Sequence, residues 1–150
     1  MADLHKVGSR TPQAVIYKSE SHKLHQAFPV KKGDIIVQGQ PVKLNNDGTI
    51  SPYTGVEGEM YIGIAIGYSQ HPAYPPMAAG VEVTVMVQGY TVIHGIAKQE
   101  VATTGYVQTD GTLDDSGIYP NYSPSASNVE TPFLAINTAE VGELVRILVK

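Results

Sequence analysis

A block that occurs twice constrains this chain more than any other feature. Gly80-Val81-Glu82-Val83-Thr84-Val85-Met86-Val87 returns as Gly142-Glu143-Leu144-Val145-Arg146-Ile147-Leu148-Val149, at an offset of 62 residues (142 − 80). Each copy follows a second apolar block, Met60-Tyr61-Ile62-Gly63-Ile64-Ala65-Ile66-Gly67 before the first and Phe133-Leu134-Ala135-Ile136 before the second. Upstream, Gly39-Gln40-Pro41-Val42 and Asp47-Gly48-Thr49-Ile50 are echoed by Gly105-Tyr106-Val107 and Asp110-Gly111-Thr112-Leu113. The order in both halves is a turn and strand, an Asp-Gly-Thr turn, a core strand, a loop and a core strand. The chain therefore reads as two quasi-repeated half-units, about 27–97 and 100–150.

The blocks are strands. Val83, Val85 and Val87 alternate with Glu82, Thr84 and Met86 at the period of two that a half-buried strand requires, and Gly and Pro bound each run. Asp-Gly pairs supply the positive φ that tight hairpins need. Fifteen glycines, ten prolines and 42% hydrophobic residues, without a long run of helix formers, point to an all-β chain. At 150 residues one domain with a real core is expected, because two independent domains of half that length would each be marginal. The expected division is a flexible N-terminal arm over 1–13, polar and without a period that buries a face, and a single β domain over 14–150.

Between the anchor blocks, Val15-Ile16-Tyr17 opens a strand that runs on to Val30 as a long edge hairpin or a strand with a bulge. Gly89–Ala97 reads as a strand antiparallel to its predecessor. Residues 114–131, rich in Ser, Asn, Pro and Tyr, read as a long surface loop of the kind that makes contacts.

Composition removes several functions. A net charge of −4 with scattered basic residues lacks the clustered positive surface that phosphate binding needs, so no nucleic-acid partner is expected. No apolar run approaches a membrane span, no signal-peptide pattern occurs near Met1, and the absence of cysteine removes disulfides, thiolate metal sites and a thiol nucleophile.

Candidates for chemistry are weak. His22 and His25, three apart, would suit a metal pair on a helix but face opposite ways on a strand. His94 lacks any accompanying nucleophile motif. Asp110, Asp114, Asp115 and Ser116 do not follow a calcium-loop spacing and read as turn formers. Gly63 and Gly67 suggest close backbone approach. No enzymatic activity, cofactor or metal is expected.

The tyrosine count stands out: nine, against two Phe and no Trp. Tyr53, Tyr68, Tyr74, Tyr119 and Tyr122 fall in expected loops, where an amphipathic ring suits an interface or a sugar. Tyr53, Tyr74, Tyr119 and Tyr122 are the expected exposed contacts.

The succession Val30-Lys31-Lys32-Gly33-Asp34, Gly39-Gln40-Pro41-Val42, Asp47-Gly48-Thr49, Tyr61-Ile62-Gly63-Ile64-Ala65, Gly80–Val85 and Gly142–Val149 resembles the tailed-bacteriophage head decoration proteins, the capsid-stabilising structural-cement group. The resemblance covers about residues 27–150. It implies a small β-barrel or β-tulip, usually a homotrimer, bound to the major capsid protein outside the expanded head near three-fold positions, where it bridges capsomers. It implies a location on the outer capsid surface of the virion after synthesis in the host bacterial cytoplasm. It further implies an N-terminal arm that orders on the capsid by adding a strand, for which Leu4, Val7, Arg10, Val15, Ile16 and Tyr17 are the candidate contacts. The 114–131 segment departs from the repeat.

Two other readings compete. One is a carbohydrate-binding β module, on a virion or free, that uses the loop tyrosines for a glycan. The other is a biotinyl- or lipoyl-type carrier, which needs a lysine at a hairpin tip where this chain has Glu59-Met60-Tyr61.

Overall fold

A computed structural model describes residues 16–19, 24–69, 82–88 and 91–149. These residues form eleven strands: β1 (Ile16–Ser19), β2 (Leu24–Pro29), β3 (Pro41–Leu44), β4 (Ile50–Pro52), β5 (Met60–Ala65), β6 (Glu82–Gln88), β7 (Thr91–Ala97), β8 (Tyr106–Leu113), β9 (Pro120–Pro124), β10 (Phe133–Ala135) and β11 (Leu144–Val149). One 3₁₀ turn, Ala126–Asn128, follows β9. The protein is all-β, as expected.

The doubling is complete at the level of topology. The first sheet runs β2-β6-β5-β3-β4 and the second β7-β11-β10-β8-β9, the same order shifted by five strands. Parallel pairing of β7 with β9 through Ile96↔Asn121 and Ala97↔Tyr122 closes the second sheet into a five-stranded barrel. The first sheet is drawn together by one parallel bridge at the matching place, Val30↔Ile50. The repeat units therefore run 24–88 and 91–149. β7 pairs with β1, β9 and β11 rather than with its predecessor β6, so it opens the second unit instead of ending the first.

Hydrogen bonds outside the ladders repeat as well. Gly39 N–H donates to the Ala65 carbonyl at 2.7 Å and Thr104 N–H to the Ala135 carbonyl at 2.8 Å. Ala65 N–H donates to Gln40 and Ala135 N–H to Gly105, both at 2.9 Å. Lys31 N–H reaches Ile50 at 3.0 Å and Lys98 N–H reaches Tyr122 at 2.8 Å. Asp47 Oδ1 accepts from the Thr49 N–H at 3.0 Å and from its hydroxyl, and Asp110 Oδ1 does the same for Thr112. Each carboxylate thus satisfies two donors in its turn, which is why Asp-Gly-Thr recurs.

This equivalence explains an oddity. Thr104 has φ +66°, in the left-handed region that β-branched residues avoid. Its counterpart is Gly39, with φ +86°. The second unit has kept the turn and lost the glycine. Thr104→Gly is expected to raise stability by about 0.5–1 kcal/mol, the left-handed penalty less the extra unfolded-state entropy of glycine. A denaturant melt checks this.

Packing has diverged by exchanging volumes between matched sites. In the first unit Phe28 and Ile50 belong to one apolar cluster. Their counterparts are Gly95 and Tyr122, where the tyrosine ring lies over the glycine so closely that a Cβ there would stand 2.3 Å from Cδ2. Inward Gly63 of β5 likewise matches inward Phe133 of β10. The interiors are filled by β-branched side chains such as Val42, Ile50, Val83 and Val85 in the first unit and Ile93, Val107, Val145 and Ile147 in the second. Each fully buried side chain of this size contributes about 1.5–3 kcal/mol.

The units form one body. Outward residues of the first sheet, Ile64 of β5 and Met86 of β6, sit in the cluster that fills the second barrel. Tyr53 and Tyr61 extend it: ring centroids lie 5.2 Å apart between them, and Tyr61 meets Phe133 edge-on at 5.5 Å. Gln40 Nε2 donates to the Gly111 carbonyl at 3.3 Å across the junction.

Candidate functional site

β1 and β2 lie in series along β6 and β7. Ile16, Lys18 and Ser19 pair with Ile93, Val92 and Thr91, and Leu24–Pro29 pair antiparallel with β6 from Gln88 to Glu82. The result is a ribbon that crosses both units, with register shifts at Ile16/Lys18 and Leu24/His25, as a bulged long edge strand should have.

The repeat shows what the outer edge of this ribbon can accept. On β7, one edge is taken by β11; the other carries β9 at Ile96–Ala97 and β1 at Thr91–Ile93. On β2, one edge is taken by β6, and among the described residues the other carries only the Val30–Ile50 bridge just past its end. Leu24–Gln26 of β2 correspond to Thr91–Ile93 of β7. Among the described residues no strand lies on that stretch of β2, and every β2 residue except Phe28 is exposed. An open row of backbone N–H and C=O groups is a template for strand addition. Leu24, 54% exposed, adds an apolar foothold.

The expected contact residues fall as follows. Leu4, Val7, Arg10 and Val15 lie outside the described residues, as do Tyr74 and His22. Ile16 and Tyr17 belong to β1, in the ribbon. The expected exposure of the tyrosines needs correction. Tyr122 is fully buried and Tyr119 only 8% exposed. The reason is that 114–131 is not a free loop: Pro120–Pro124 is β9, paired with both β7 and β8, and closes the barrel. Tyr53 is half-buried in the junction between units. Tyr119 and Tyr122 therefore offer no exposed ring face to a sugar.

A groove of about 520 Å³ does open beside Tyr119, with Asp114, Asn137, Glu143 and Leu144 among its walls. Its polar groups serve the protein's own loops. Asp114 Oδ1 accepts from the Ser116 hydroxyl at 2.8 Å and the Tyr119 N–H at 3.1 Å, Glu143 Oε1 from the Glu140 N–H at 2.8 Å, and Asn137 Oδ1 from the Arg146 N–H at 2.6 Å. The aspartates therefore act as turn formers. No group of three or more metal-capable side chains occurs among the described residues. His94 is buried in β7 opposite Arg146 of β11.

One carboxylate escaped the sequence reading. Glu59 pairs with Lys43 and accepts from the Thr54 N–H at 3.0 Å, the Thr54 hydroxyl at 2.9 Å and the Val56 N–H at 3.2 Å. It fastens the 53–59 loop, whose Gly55 approaches the Thr109 carbonyl of the second unit. Burial opposes ionisation of Glu59, but the bonds from Lys43 and Thr54 outweigh it and hold the carboxyl below its ordinary value of 4.5. A depressed folded pKa means that this stabilisation is present above pH 4.5 and is lost as pH falls through the folded value. The wild-type protein is accordingly expected to lose more melting temperature between pH 6 and pH 3 than Glu59→Gln does. Equal losses would exclude the clamp.

No family model matches the chain, and no curated protein matches it either.

Proposed function

We propose that this protein decorates the head of a tailed bacteriophage, binding the major capsid protein outside the expanded shell and stabilising it by bridging neighbouring capsomers. The observation that carries the reading is the ribbon edge. β2 presents an exposed strand edge at the place where the second unit takes up β1, and fifteen further residues of the chain precede β1. An edge of this kind and an N-terminal segment are the two halves of strand exchange with a shell: the shell adds a strand to β2, and residues 1–13 add a strand to the shell. A partner that engages only the assembled, expanded state stabilises that state by mass action.

The charged and polar side chains of the described surface fit this reading. Glu59, Asp47, Asp110 and Asp114 fasten their own turns, which suits a protein that works by binding rather than by catalysis. Three copies would act together on the outer surface of the virion. The glycan-binding alternative has lost Tyr119 and Tyr122 to the core and is not preferred.

Deletion of residues 1–13 tests the reading. The truncated chain is expected to fold with an unchanged circular dichroism spectrum and melting temperature, yet to protect expanded heads from heat or chelator at least about tenfold less well by concentration. Undiminished protection by the truncated chain would refute the arm's role.

A further inference from the structure

The repeat shows where the second unit carries something extra. Its Asp-Gly-Thr turns are 63 residues apart (110 − 47), whereas Ile50 and Tyr122, whose carbonyls accept from Lys31 and Lys98 where each unit closes, are 72 apart (122 − 50). Nine residues (72 − 63) have entered between the turn and the closing strand, and they include Asp114-Asp115-Ser116-Gly117-Ile118-Tyr119. This insertion is folded on itself. Asp114 N–H donates to the Tyr119 carbonyl at 2.8 Å and Gly117 N–H to the Asp114 carbonyl at 2.9 Å. Closure does not demand it, since the first unit is drawn together at Val30↔Ile50 without such a segment.

The insertion supplies a wall of the groove beside Tyr119. The strands beneath have changed with it. The cross-strand pair Pro29↔Glu82 of the first unit, exposed on both strands, is matched in the second by Ile96↔Leu144. Ile96 and Leu144 join Ile118 and Tyr119 in an apolar cluster separate from both barrel interiors. Above this floor the rim is acidic: Asp114 stands on the inserted wall, Glu143 on the turn into β11, and no basic side chain among the described residues lines the groove. The loop bonds engage mainly one oxygen of each carboxylate. Asp114 Oδ1 takes the Ile118 and Tyr119 N–H groups, whereas Oδ2 has only a share of the Ser116 hydroxyl. Glu143 Oε1 takes the Glu140 N–H, and Oε2 has no partner among the described residues. The ion pairs among the described residues, Lys43–Glu59 and Lys98–Asp110, involve neither carboxylate.

We infer that this groove binds an arginine side chain, flanked by apolar residues, of a partner protein. The apolar floor takes the alkyl stem and its neighbours, and the two carboxylates take the guanidinium. Charge complementarity selects a cation, and the floor selects one that is weakly hydrated with several fixed donors, which favours arginine over lysine. Walls that are already bonded in place lower the ordering cost of binding. The inference rests on the decoration reading only for the identity of the partner, which is then the shell. The chemistry of the groove belongs to this chain, so its test needs no phage head.

The experiment is titration of the isotope-labelled full chain, followed by two-dimensional NMR, with the peptide acetyl-Leu-Arg-Leu-amide. The control is the same peptide with citrulline, the neutral isostere of arginine. Saturable shifts of the Ile96, Asp114, Glu143 and Leu144 amide signals are expected, with a dissociation constant of about 1 mM or lower. The citrulline peptide is expected to bind about tenfold more weakly or less, and added salt to weaken only the arginine peptide. Asp114→Asn with Glu143→Gln keeps an acceptor oxygen for every backbone loop bond and removes both charges. This double variant is expected to bind the arginine peptide about tenfold more weakly with an unchanged circular dichroism spectrum. No saturable shift of the groove signals up to about 10 mM peptide would overturn the inference. Equal affinity for the two peptides, or a folded double variant that binds as well as wild type, would do the same. Should the double variant lose the folded spectrum, the comparison of the two peptides on wild type decides alone. Binding that appears only after deletion of residues 1–13 would assign the groove to the chain's own arm and also overturn the inference. Head binding without peptide binding refutes the groove and spares the decoration reading, whereas peptide binding without head binding refutes the shell as partner and keeps the site.

Discussion

Tyr122→Ala is expected to cost about 3–5 kcal/mol, whereas Tyr122→Phe is expected to be neutral or to stabilise by about 1 kcal/mol. The difference follows from where the side chain lies. The ring is fully buried, touches Phe133 edge-on at 5.8 Å between centroids, and fills the space that Gly95 leaves on β7. Its removal opens a large cavity in the barrel that β9 closes. The hydroxyl, by contrast, is buried without a hydrogen-bond partner among the described residues, so deleting it recovers a desolvation cost. Burial, and then the neighbouring Tyr61, push the phenol well above its ordinary pKa, so it stays neutral. Urea denaturation of the two variants checks the pair. An exposed contact residue would behave in the opposite way, with both changes silent in stability.

Gly63→Ala is expected to be comparably severe, at roughly 3–5 kcal/mol. Gly63 has φ +146°, a conformation that side chains rarely adopt, and its missing Cβ would stand 2.0 Å from the Met86 carbonyl oxygen. That oxygen is backbone and cannot rotate away. To make room, β5 and β6 must part beside Ile64↔Met86, the pair through which the first unit packs on the second. The loss should therefore reach both units in one transition, read as a single shifted melt by circular dichroism and by tyrosine fluorescence. Two separate transitions would mean that the units fold independently.

Much of this architecture could be read from the chain, for identifiable reasons. The strands β5, β6 and β11 carry β-branched residues at period two close to glycines, β10 is the short apolar block that precedes β11, and β5–β6 and β10–β11 pair as that succession implies. The Asp47 and Asp110 turns were legible because their residue types allow few other conformations. The sequence places β7 in the first half because Gly89–Ala97 follows Val87 with no strong turn signal, and the pairing with β11 shows which sheet it enters. β9 was concealed by composition: Pro120-Asn121-Tyr122-Ser123-Pro124 has prolines at both ends and little β propensity. Its identity rests on tertiary closure, with Tyr122 standing where the first unit has Ile50.

The candidate site was less legible than the fold. An open strand edge is a property of what fails to pair, and β2, with Leu24-His25-Gln26-Ala27, carries no distinctive residues. The repeat places Leu134 and Leu148 of the second unit at the positions that Ile64 and Met86 hold in the first. What one chain buries at one end, it repeats half-exposed at the other. Tyrosine content misled because aromatic count alone does not separate an interface from a junction between units, and Tyr53 and Tyr61 serve the latter.

The most direct test of the decoration account is co-sedimentation of the labelled full-length chain with expanded and unexpanded phage heads over a range of concentrations. Saturable pelleting with expanded heads, at a fixed ratio to capsid protein and without pelleting by unexpanded heads, is the expected result. Equal recovery with both kinds of head, or recovery with neither, would contradict it.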